Sequence, residues 1–198
     1  MGVNLKNIIN TKELDIKHLS GKKIGIDAHN WTYQFLSTIR LSTGELLKDS
    51  KGRITSHLIG MFTRTTNLLK NGIQPCYVWD GIPPEFKLKT IEEREKRKKE
   101  AKVKFDKAKT DEEKRKYAMQ ISKLTPDMIK DANKMLDALG VPHMKAASEG
   151  EAQVSHMVKK GDFWACASQD WDAILFGSKR LIRNLSISGK KRIPRTKI

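Results

Sequence analysis

The sequence predicts an α/β fold in which helices flank a mostly parallel central sheet. The first observation is that short apolar runs alternate with helical segments, as is typical of βαβ units. The second is that three of the four strands predicted up to residue 170 end in aspartate, at the sheet edge where sites form in such folds. The third is a composition with 38% hydrophobic and 31% charged residues, which is enough apolar side chain for a packed core.

The N-terminal part combines buried strands with helices. KKIGID and QPCYVWD are short apolar runs that end in an acid, as expected of buried strands. We expect Ser56 to cap the second helix and Asn71-Gly72 to end it. The predicted order is a strand over 22–27, helices over 30–40 and 56–69, a strand over 74–80 and a turn over 81–84.

A long polar helical region follows the turn. Residues 85–117 contain 14 Lys or Arg and 9 Asp or Glu, with many opposite charges three or four positions apart. No apolar stripe is wide enough to pack on a core. Two interpretations stay open: a solvated helix stabilised by charge pairs, or a helix that stands off the body and faces a phosphate backbone. The expected boundaries are a break at 110–111, an end near Leu124, a new start at Thr125-Pro126 and a stop at Gly140.

The C-terminal part returns to short strands. Ser148 and Glu151 have the spacing of a capping box, which by itself gives both residues a structural role at a helix start. The predicted order is a strand over 141–146, a helix over 148–161, a strand over 162–170, a helical turn over 172–176 and a strand over 180–187.

The charge balance points to a polyanionic partner, and nucleic acid is the first candidate. There are 39 Lys or Arg against 23 Asp or Glu, a formal net charge of +16, and residues 179–198 hold eight basic residues and no acidic one. No apolar run approaches the roughly 20 residues of a membrane span, and the N-terminus does not read as a secretory signal. Cys76 and Cys166 lie in apolar runs, as expected of buried thiols in a reducing compartment. We therefore expect an intracellular protein without membrane contact.

Six acids are candidates for one metal site at the carboxyl edge of the sheet. A single strand-ending aspartate is usually a turn or cap residue, but several with the same placement favour a shared site. Asp170 and Asp172 project to one side if their stretch is extended. Oxygen ligands alone favour Mg²⁺ or Mn²⁺, and two such ions suit displacement at phosphorus, hence phosphodiester hydrolysis. The set is Asp27, Asp80, Glu149, Glu151, Asp170 and Asp172.

Motifs along nearly the whole chain resemble those of the structure-specific flap endonuclease family, most closely its archaeal members. The matching stretches are GKKIGIDAHNWTYQFL, GRITSHLIGMFTRT, NGIQPCYVWDGIPPEFK, ASEGEAQ, SQDWDAILFGS and RNLSISGKKR. The resemblance implies a PIN-like 5′-nuclease core with an inserted helical arch. On that basis residues 1–198 form one catalytic core, with an N-terminal region over 1–84, an arch over 85–133 and an internal region over 134–198.

The resemblance also implies roles for individual residues. The six acids would hold two Mg²⁺ ions, with Mn²⁺ as a substitute, while Lys87 and Arg94 would contact and polarise the scissile phosphate at the base of the arch. Tyr33 would stack on the nucleotide beside the cut, whereas its position alone suggests a core residue of an amphipathic helix. The remaining implied DNA contacts are Gly2, Arg40, Arg64 and Arg97, besides Lys87 and Arg94.

The implied activity is cleavage of 5′-flap DNA at the single-strand/duplex junction, with 5′–3′ exonuclease activity, in DNA replication, Okazaki fragment processing and repair. A monomer is expected, in the cytoplasm or nucleoid of an archaeon. Family members are longer: they carry a seventh metal-site Asp, a helix-two-turn-helix element with K⁺ and a C-terminal peptide for the sliding clamp, none of which this chain reaches. Two alternatives stay open: a DNA-binding fragment with little catalysis of its own, and a PIN-like Mg²⁺-dependent ribonuclease.

Overall fold

The computed structural model describes residue 5 and residues 7–185, and within them it contains a five-stranded sheet. All paired strands run parallel, in the spatial order β3-β2-β1-β4-β5. The α/β prediction is confirmed. The strands are β1 (Lys23–Asp27), β2 (Gln74–Trp79), β3 (His143–Lys145), β4 (Ala165–Ala167) and β5 (Leu181–Ile182).

Seven α-helices connect the strands in the described part of the chain, together with two short 3₁₀ turns at Ile16–Leu19 and Glu85–Lys87. No helix in that part is both long and apolar enough to cross a membrane. The helices are α1 (Ala28–Thr38), α2 (Ser56–Lys70), α3 (Leu88–Lys107), α4 (Asp111–Gln120), α5 (Pro126–Ala138), α6 (Gly150–Lys160) and α7 (Asp172–Leu175).

Helices cover both faces of the sheet, as the crossover of parallel strands requires. On one face, α1, α2 and α5 bury a core that includes Trp31, Phe35, Met61 and Leu136. On the other face, α6 packs through side chains such as Val154 against β1, β2 and β4. The sheet is therefore the middle layer of three, and its carboxyl edge is left free for a site.

The polar helices α3 and α4 stand apart from this core. Ala101 is the buried residue of α3 and Ala118 that of α4, so the two helices present charged side chains on nearly every side. They pack against each other, and α4 also touches α1. In contrast, α5 buries Ala132 and Leu136 in the main core. We call α3 and α4 the helical arch from here on.

Two of the predicted helix starts agree with the structure and two predicted caps do not. Thr110 forms a capping box with Glu113, and Thr125 caps α5, both at predicted boundaries. The Ser56 prediction is wrong, because Thr55 precedes α2 and the Ser56 hydroxyl instead accepts the Leu47 N–H at 2.8 Å. That bond ties the loop before α2 to the helix.

The predicted capping box of Ser148 and Glu151 is also wrong. Helix α6 starts at Gly150 after Glu149, and no side chain caps it. Glu151 accepts a hydrogen bond from another helix, described below. The predicted strand over 162–170 shortens to β4, and the residues after it bend into α7. Asp170 and Asp172 are therefore not on an extended stretch, and their proximity to the other acids has a different origin.

Candidate active site

The candidate site lies where the strand order reverses direction along the chain. Strand β1 pairs with β2 on one side and β4 on the other. Asp27 is the last residue of β1, Asp80 follows β2, and Asp170 follows β4 by a short bend. Loops diverge at such a switch point and leave a crevice between them. The topology thus gathers the strand-ending acids predicted from the sequence at one edge.

Asn30 connects two of these acids. Its backbone N–H donates to the Asp27 carboxylate at 3.0 Å, which caps α1. Its side-chain amide donates to Asp170 Oδ2 at 3.0 Å, across 140 residues of sequence. One asparagine in the first turn of α1 therefore holds carboxylates from the ends of β1 and β4 at defined positions.

Asp80 is fixed by the start of α6 and by a histidine. The Gly150 N–H donates to Asp80 Oδ1 at 2.7 Å. A Cβ added at Gly150 would lie 2.8 Å from the Val78 carbonyl oxygen, so only glycine permits this approach without a shift. His29 Nδ1 accepts the Asp80 N–H at 3.0 Å and lies 3.6 Å from Asp80 Oδ2. His29 thus belongs to the site through its contacts with Asp80.

Lys87 reaches the site from the base of the arch. Its ammonium donates to Glu149 Oε2 at 2.6 Å and forms an ion pair there. Lys87 ends the short 3₁₀ turn that leads into α3, and Glu149 immediately precedes α6. The contact therefore joins the polar insertion to the acidic edge of the sheet.

Glu151 and Asp172 complete the acidic group. Glu151 Oε1 accepts the Ala173 N–H at 3.0 Å, which places the carboxylate at the start of α7. Asp172 is the first residue of that helix. Both Asp170 and Asp172 lie near enough to Glu151 to raise its pKa. The turn into α7 is what brings these two aspartates to the site.

Burial and, to a smaller extent, mutual repulsion raise the pKa values of two acids in the group. Asp27 is 7% exposed, and burial raises its pKa well above the ordinary value, with further increases from Asp80, Glu151 and Asp170. The Asn30 N–H opposes that shift only in part. Burial and the charge of Asp170 raise the pKa of Glu151 to about 7. Negative charge is therefore concentrated here beyond what the protein's own donors neutralise.

The donor set fits hard divalent cations. All six acids offer carboxylate oxygens, which Mg²⁺ and Mn²⁺ prefer. Burial and, to a smaller extent, neighbouring acids raise the pKa of Asp27 and Glu151, and a cation would favour their charged forms. Within the described residues no three His, Cys, Asp or Glu side chains converge closely enough to form a preassembled ion site. Several carboxylates are instead engaged with protein donors, namely Asn30, Gly150, Lys87 and Ala173.

The arch contributes cations around an exposed aromatic ring. Tyr33 on α1 is 37% exposed, so the expectation of a core tyrosine is wrong, and its ring lies under Lys98 of α3 at 5.8 Å. Arg94 is exposed on α3, and Arg97 pairs with Glu93 at 3.9 Å. Among the contacts of the described residues, neither arginine reaches the acidic group. Their predicted roles remain predictions about a complex with DNA.

Arg40 has a structural role that the sequence did not indicate. Its guanidinium donates to the carbonyls of Leu36 and Gly44 at 2.8 and 2.6 Å and to the Ser122 hydroxyl at 2.6 Å. It thereby joins the end of α1 to the segment after the arch. Arg64 lies over the Phe35 ring at 5.7 Å, with Nη1 buried and unpaired within the described region. Gly2 lies outside the described residues.

Sequence reasoning missed two further residues of the site. Asn30 was one, because an asparagine three residues after a strand-ending acid reads as an ordinary helix residue. Arg183 was the other: its guanidinium lies 4.4 Å from the Trp171 ring centre and donates to the Gln169 carbonyl at 2.9 Å. It braces the bend that carries Asp170 and Asp172. No local pattern signals either contact.

Comparison with known proteins identifies the family of this chain. Residues 1–101 match the XPG N-terminal domain, and residues 140–198 match the XPG I-region. Flap endonuclease 1 of Staphylothermus marinus is 53% identical over 205 residues, covering 100% of this chain and 59% of the relative. Flap endonuclease 1 of Pyrococcus horikoshii is 53% identical over 197 residues, covering 98% and 57%. The chain thus spans less than two thirds of the length of these relatives.

Solved structures show the same fold. The flap endonuclease-1 from Methanococcus jannaschii superposes with a TM-score of 0.72 at 43% identity, covering 96% of this chain and 61% of that one. The catalytic core of Rad2 in complex with a DNA substrate gives 0.64 at 30% identity, covering 85% and 45%. With both XPG regions matched and archaeal relatives aligned along the chain, this protein belongs to the structure-specific flap endonuclease family.

Proposed function

We propose that this chain carries the catalytic region of an endonuclease that hydrolyses a phosphodiester of 5′-flap DNA at the single-strand/duplex junction. The observation that carries the proposal is the acidic group at the switch point of the sheet, with Lys87 of the arch base hydrogen-bonded into it. Carboxylates alone would repel the DNA phosphates. Cations bound between them would remove this repulsion and stabilise the charge that develops on the reacting phosphate.

Divalent cations, on which nucleases of this family depend, would supply charge neutralisation and activation of water at this site. We assign them to the six acids, with two Mg²⁺ ions as the expected complement and Mn²⁺ as a substitute. Asp27, Asp80, Glu149 and Glu151 would chiefly hold the first ion. Asp170 and Asp172 would contribute chiefly to the second. Asn30 and Gly150 would orient carboxylates of both groups through their N–H donors.

The chain's own cations would act on the substrate. The Lys87 ammonium donates to Glu149 in the free protein. With substrate bound, it would instead donate to an oxygen of the scissile phosphate, where negative charge grows in the transition state. We assign Arg94, about two helical turns farther along the chain, to the same phosphate. Tyr33 presents a half-open ring on which a base can stack once Lys98 moves aside. Arg64 and Arg97 would contact the DNA backbone.

The arch explains why the substrate would be branched. In this proposal the single-stranded 5′ flap would pass beside α3 and α4 while the duplex would remain outside, so the junction would stop at the carboxylates. The basic surface of α3 would guide the flap without reading its sequence. The helix pair also disfavours a small PIN-like ribonuclease, in which such an insertion has no task. An intracellular location, a monomeric state and the role in replication and repair belong to the same proposal.

A cleavage assay tests the proposal. Labelled 5′-flap DNA, the matching nicked duplex and the free single strand would be incubated with the protein and Mg²⁺, or with EDTA. We expect cleavage of the flap substrate at the junction, with Mg²⁺ only. Equal cleavage of all three substrates would remove the structure specificity, and binding without cleavage would support the DNA-binding fragment instead.

A further inference from the structure

A basic cleft lies at the opposite end of the sheet from the acidic group. It has a volume of about 470 Å³ and opens where the chain enters β1, β4 and β5. At about 3.3 Å per strand residue, the four steps of β1 from Lys23, which lines the cleft, to Asp27 span roughly 13 Å. The six cations that line it, which define the basic cleft, are Lys22, Lys23, Lys159, Lys160, Lys179 and Arg180.

These cations come from three separate segments of the chain and meet little negative charge. Asp162 is the one acid among the lining residues, and it lies 3.8 Å from Lys160. Among the ion pairs of the described residues, none of the other five cations has an acidic partner. Lys159 and Lys160 lie in the last turn of α6, where the free carbonyl groups of the helix end favour cations. This structural explanation does not apply to the basic residues next to the starts of β1 and β5.

Trp164 organises the cleft. Its backbone N–H donates to the Lys23 carbonyl at 2.8 Å, and its ring lies 4.9 Å from the Arg180 guanidinium and 5.9 Å from the Lys22 ammonium. Arg180 also donates from Nη1 to the Trp164 carbonyl at 3.4 Å. A guanidinium has five N–H donors, so a stacked and anchored Arg180 keeps most of them for a ligand at little further cost in side-chain entropy.

We propose that the basic cleft binds the phosphate backbone of nucleic acid as a second contact, separate from the candidate active site. Six cations around one acid match a run of phosphates better than a single small anion. The choice of nucleic acid over an acidic protein segment rests on the proposed function, since a nuclease works amid DNA. It is also supported by the sequence, because the cleft contains the first two residues of the eight-cation run over 179–198. Such a contact reads no bases and depends strongly on salt.

The first test compares two charge-matched double variants. Lys159→Glu/Lys179→Glu changes the cleft, while Lys51→Glu/Lys130→Glu changes exposed lysines elsewhere by the same total charge. Binding of a blunt duplex of about 20 base pairs would be followed by fluorescence anisotropy at about 50 and about 200 mM salt, without divalent ions. We expect the cleft variant to bind the duplex roughly tenfold more weakly. The slope of the logarithm of its binding constant against the logarithm of salt concentration should become shallower by about two, and both effects should be much smaller in the control.

The second test uses the unaltered protein, so it does not depend on how the variants fold. Lysines would be reductively methylated with and without duplex DNA, and their reactivity read by mass spectrometry. Protection of Lys23, Lys159 and Lys179 by DNA supports the proposal. Absence of that protection, or equal weakening of DNA binding in both double variants, overturns it.

The same protection experiment with two other polyanions tests whether the cleft prefers a ligand other than nucleic acid. Protection by polyglutamate without protection by DNA would assign the cleft to an acidic protein segment and overturn the proposal. Protection by tripolyphosphate alone would assign it to a free polyphosphate, with the same consequence. Flap cleavage measured in parallel keeps the two proposals apart, because a protein that fails to cleave flaps can still show DNA protection in the cleft.

Discussion

The Lys87 ammonium donates to Glu149 Oε2 at 2.6 Å, across 62 residues of sequence. This contact puts a cation of the arch base against an acid of the candidate metal site. In the free protein the two charges neutralise each other. With substrate present, the same lysine can turn to phosphate while Glu149 turns to a cation, so the pair is suited to exchange partners on binding.

Replacing Lys87 should therefore affect turnover more than binding. For Lys87→Ala we expect single-turnover flap cleavage to fall by about 10²–10³-fold, the range found when one transition-state donor is removed, with DNA affinity changed only severalfold. Lys89→Ala is the matched control on the exposed start of α3. A change confined to the Michaelis constant would show that Lys87 only docks the substrate.

Removing Asp172 should abolish cleavage without loosening the complex. The acid sits at the first position of α7 and adds to the negative charge around Glu151. We expect Asp172→Ala to remove measurable turnover while anisotropy gives an affinity for flap DNA near that of the unaltered protein. Asp127→Ala, an exposed acid in the first turn of α5, serves as control. Full activity of Asp172→Ala would refute its assignment as a metal ligand.

Arg40 can be tested as a structural residue against its predicted DNA contact. Its three hydrogen bonds join α1, the following loop and Ser122, so Arg40→Ala should lower the free energy of unfolding by about 2–4 kcal/mol. Arg40→Lys keeps the charge but cannot make all three bonds, and it should lose most of the same stability in urea titrations. Unchanged stability of both variants with weaker DNA binding would instead favour the DNA contact.

His57 should make stability fall on acidification. It is 1% exposed on α2, and neither ring nitrogen forms a hydrogen bond of good geometry within the described residues. Burial lowers its pKa below 6.5, although Asp131 and the Met128 backbone on α5 oppose the shift. The unfolded chain therefore binds a proton at a higher pH than the folded one does.

The sign and size of this effect follow from proton linkage. The stabilising contribution of neutral His57 is complete above pH 6.5 and is lost as the pH falls from there toward the folded-state pKa, by up to about 1.4 kcal/mol per pH unit. Urea unfolding of the protein and of His57→Phe would be measured at about five pH values between pH 7.5 and 5. The difference between the two proteins isolates the contribution of His57 to the change of unfolding free energy with pH. His18→Ala, at an exposed histidine, is the control. Parallel slopes for His57→Phe and the unaltered protein would contradict the prediction.

The fold class could be predicted because its signals are local. Apolar runs that end in Asp27 and Asp80 mark buried parallel strands, and Thr110 and Thr125 mark helix starts by their capping chemistry. The α3 sequence, without an apolar stripe, predicted a polar helix that does not pack broadly on the core, and whether it was simply solvated or stood off the body stayed open. The shortening of the strand over 162–170 to β4 was less predictable, because its apolar residues continue into bends that have no periodicity of their own.

Taken alone, the sequence determined the α/β class, a polar helical region without a core-facing stripe and the six acids as candidate ligands, since each depends on residue type and short-range spacing. Only the tertiary structure decided how those acids are held. The amide of Asn30 reaches Asp170, Gly150 donates to Asp80, and Lys87 pairs with Glu149. These contacts join residues 62 to 140 positions apart, and their geometry depends on strand order and helix placement, which no periodicity within one segment encodes.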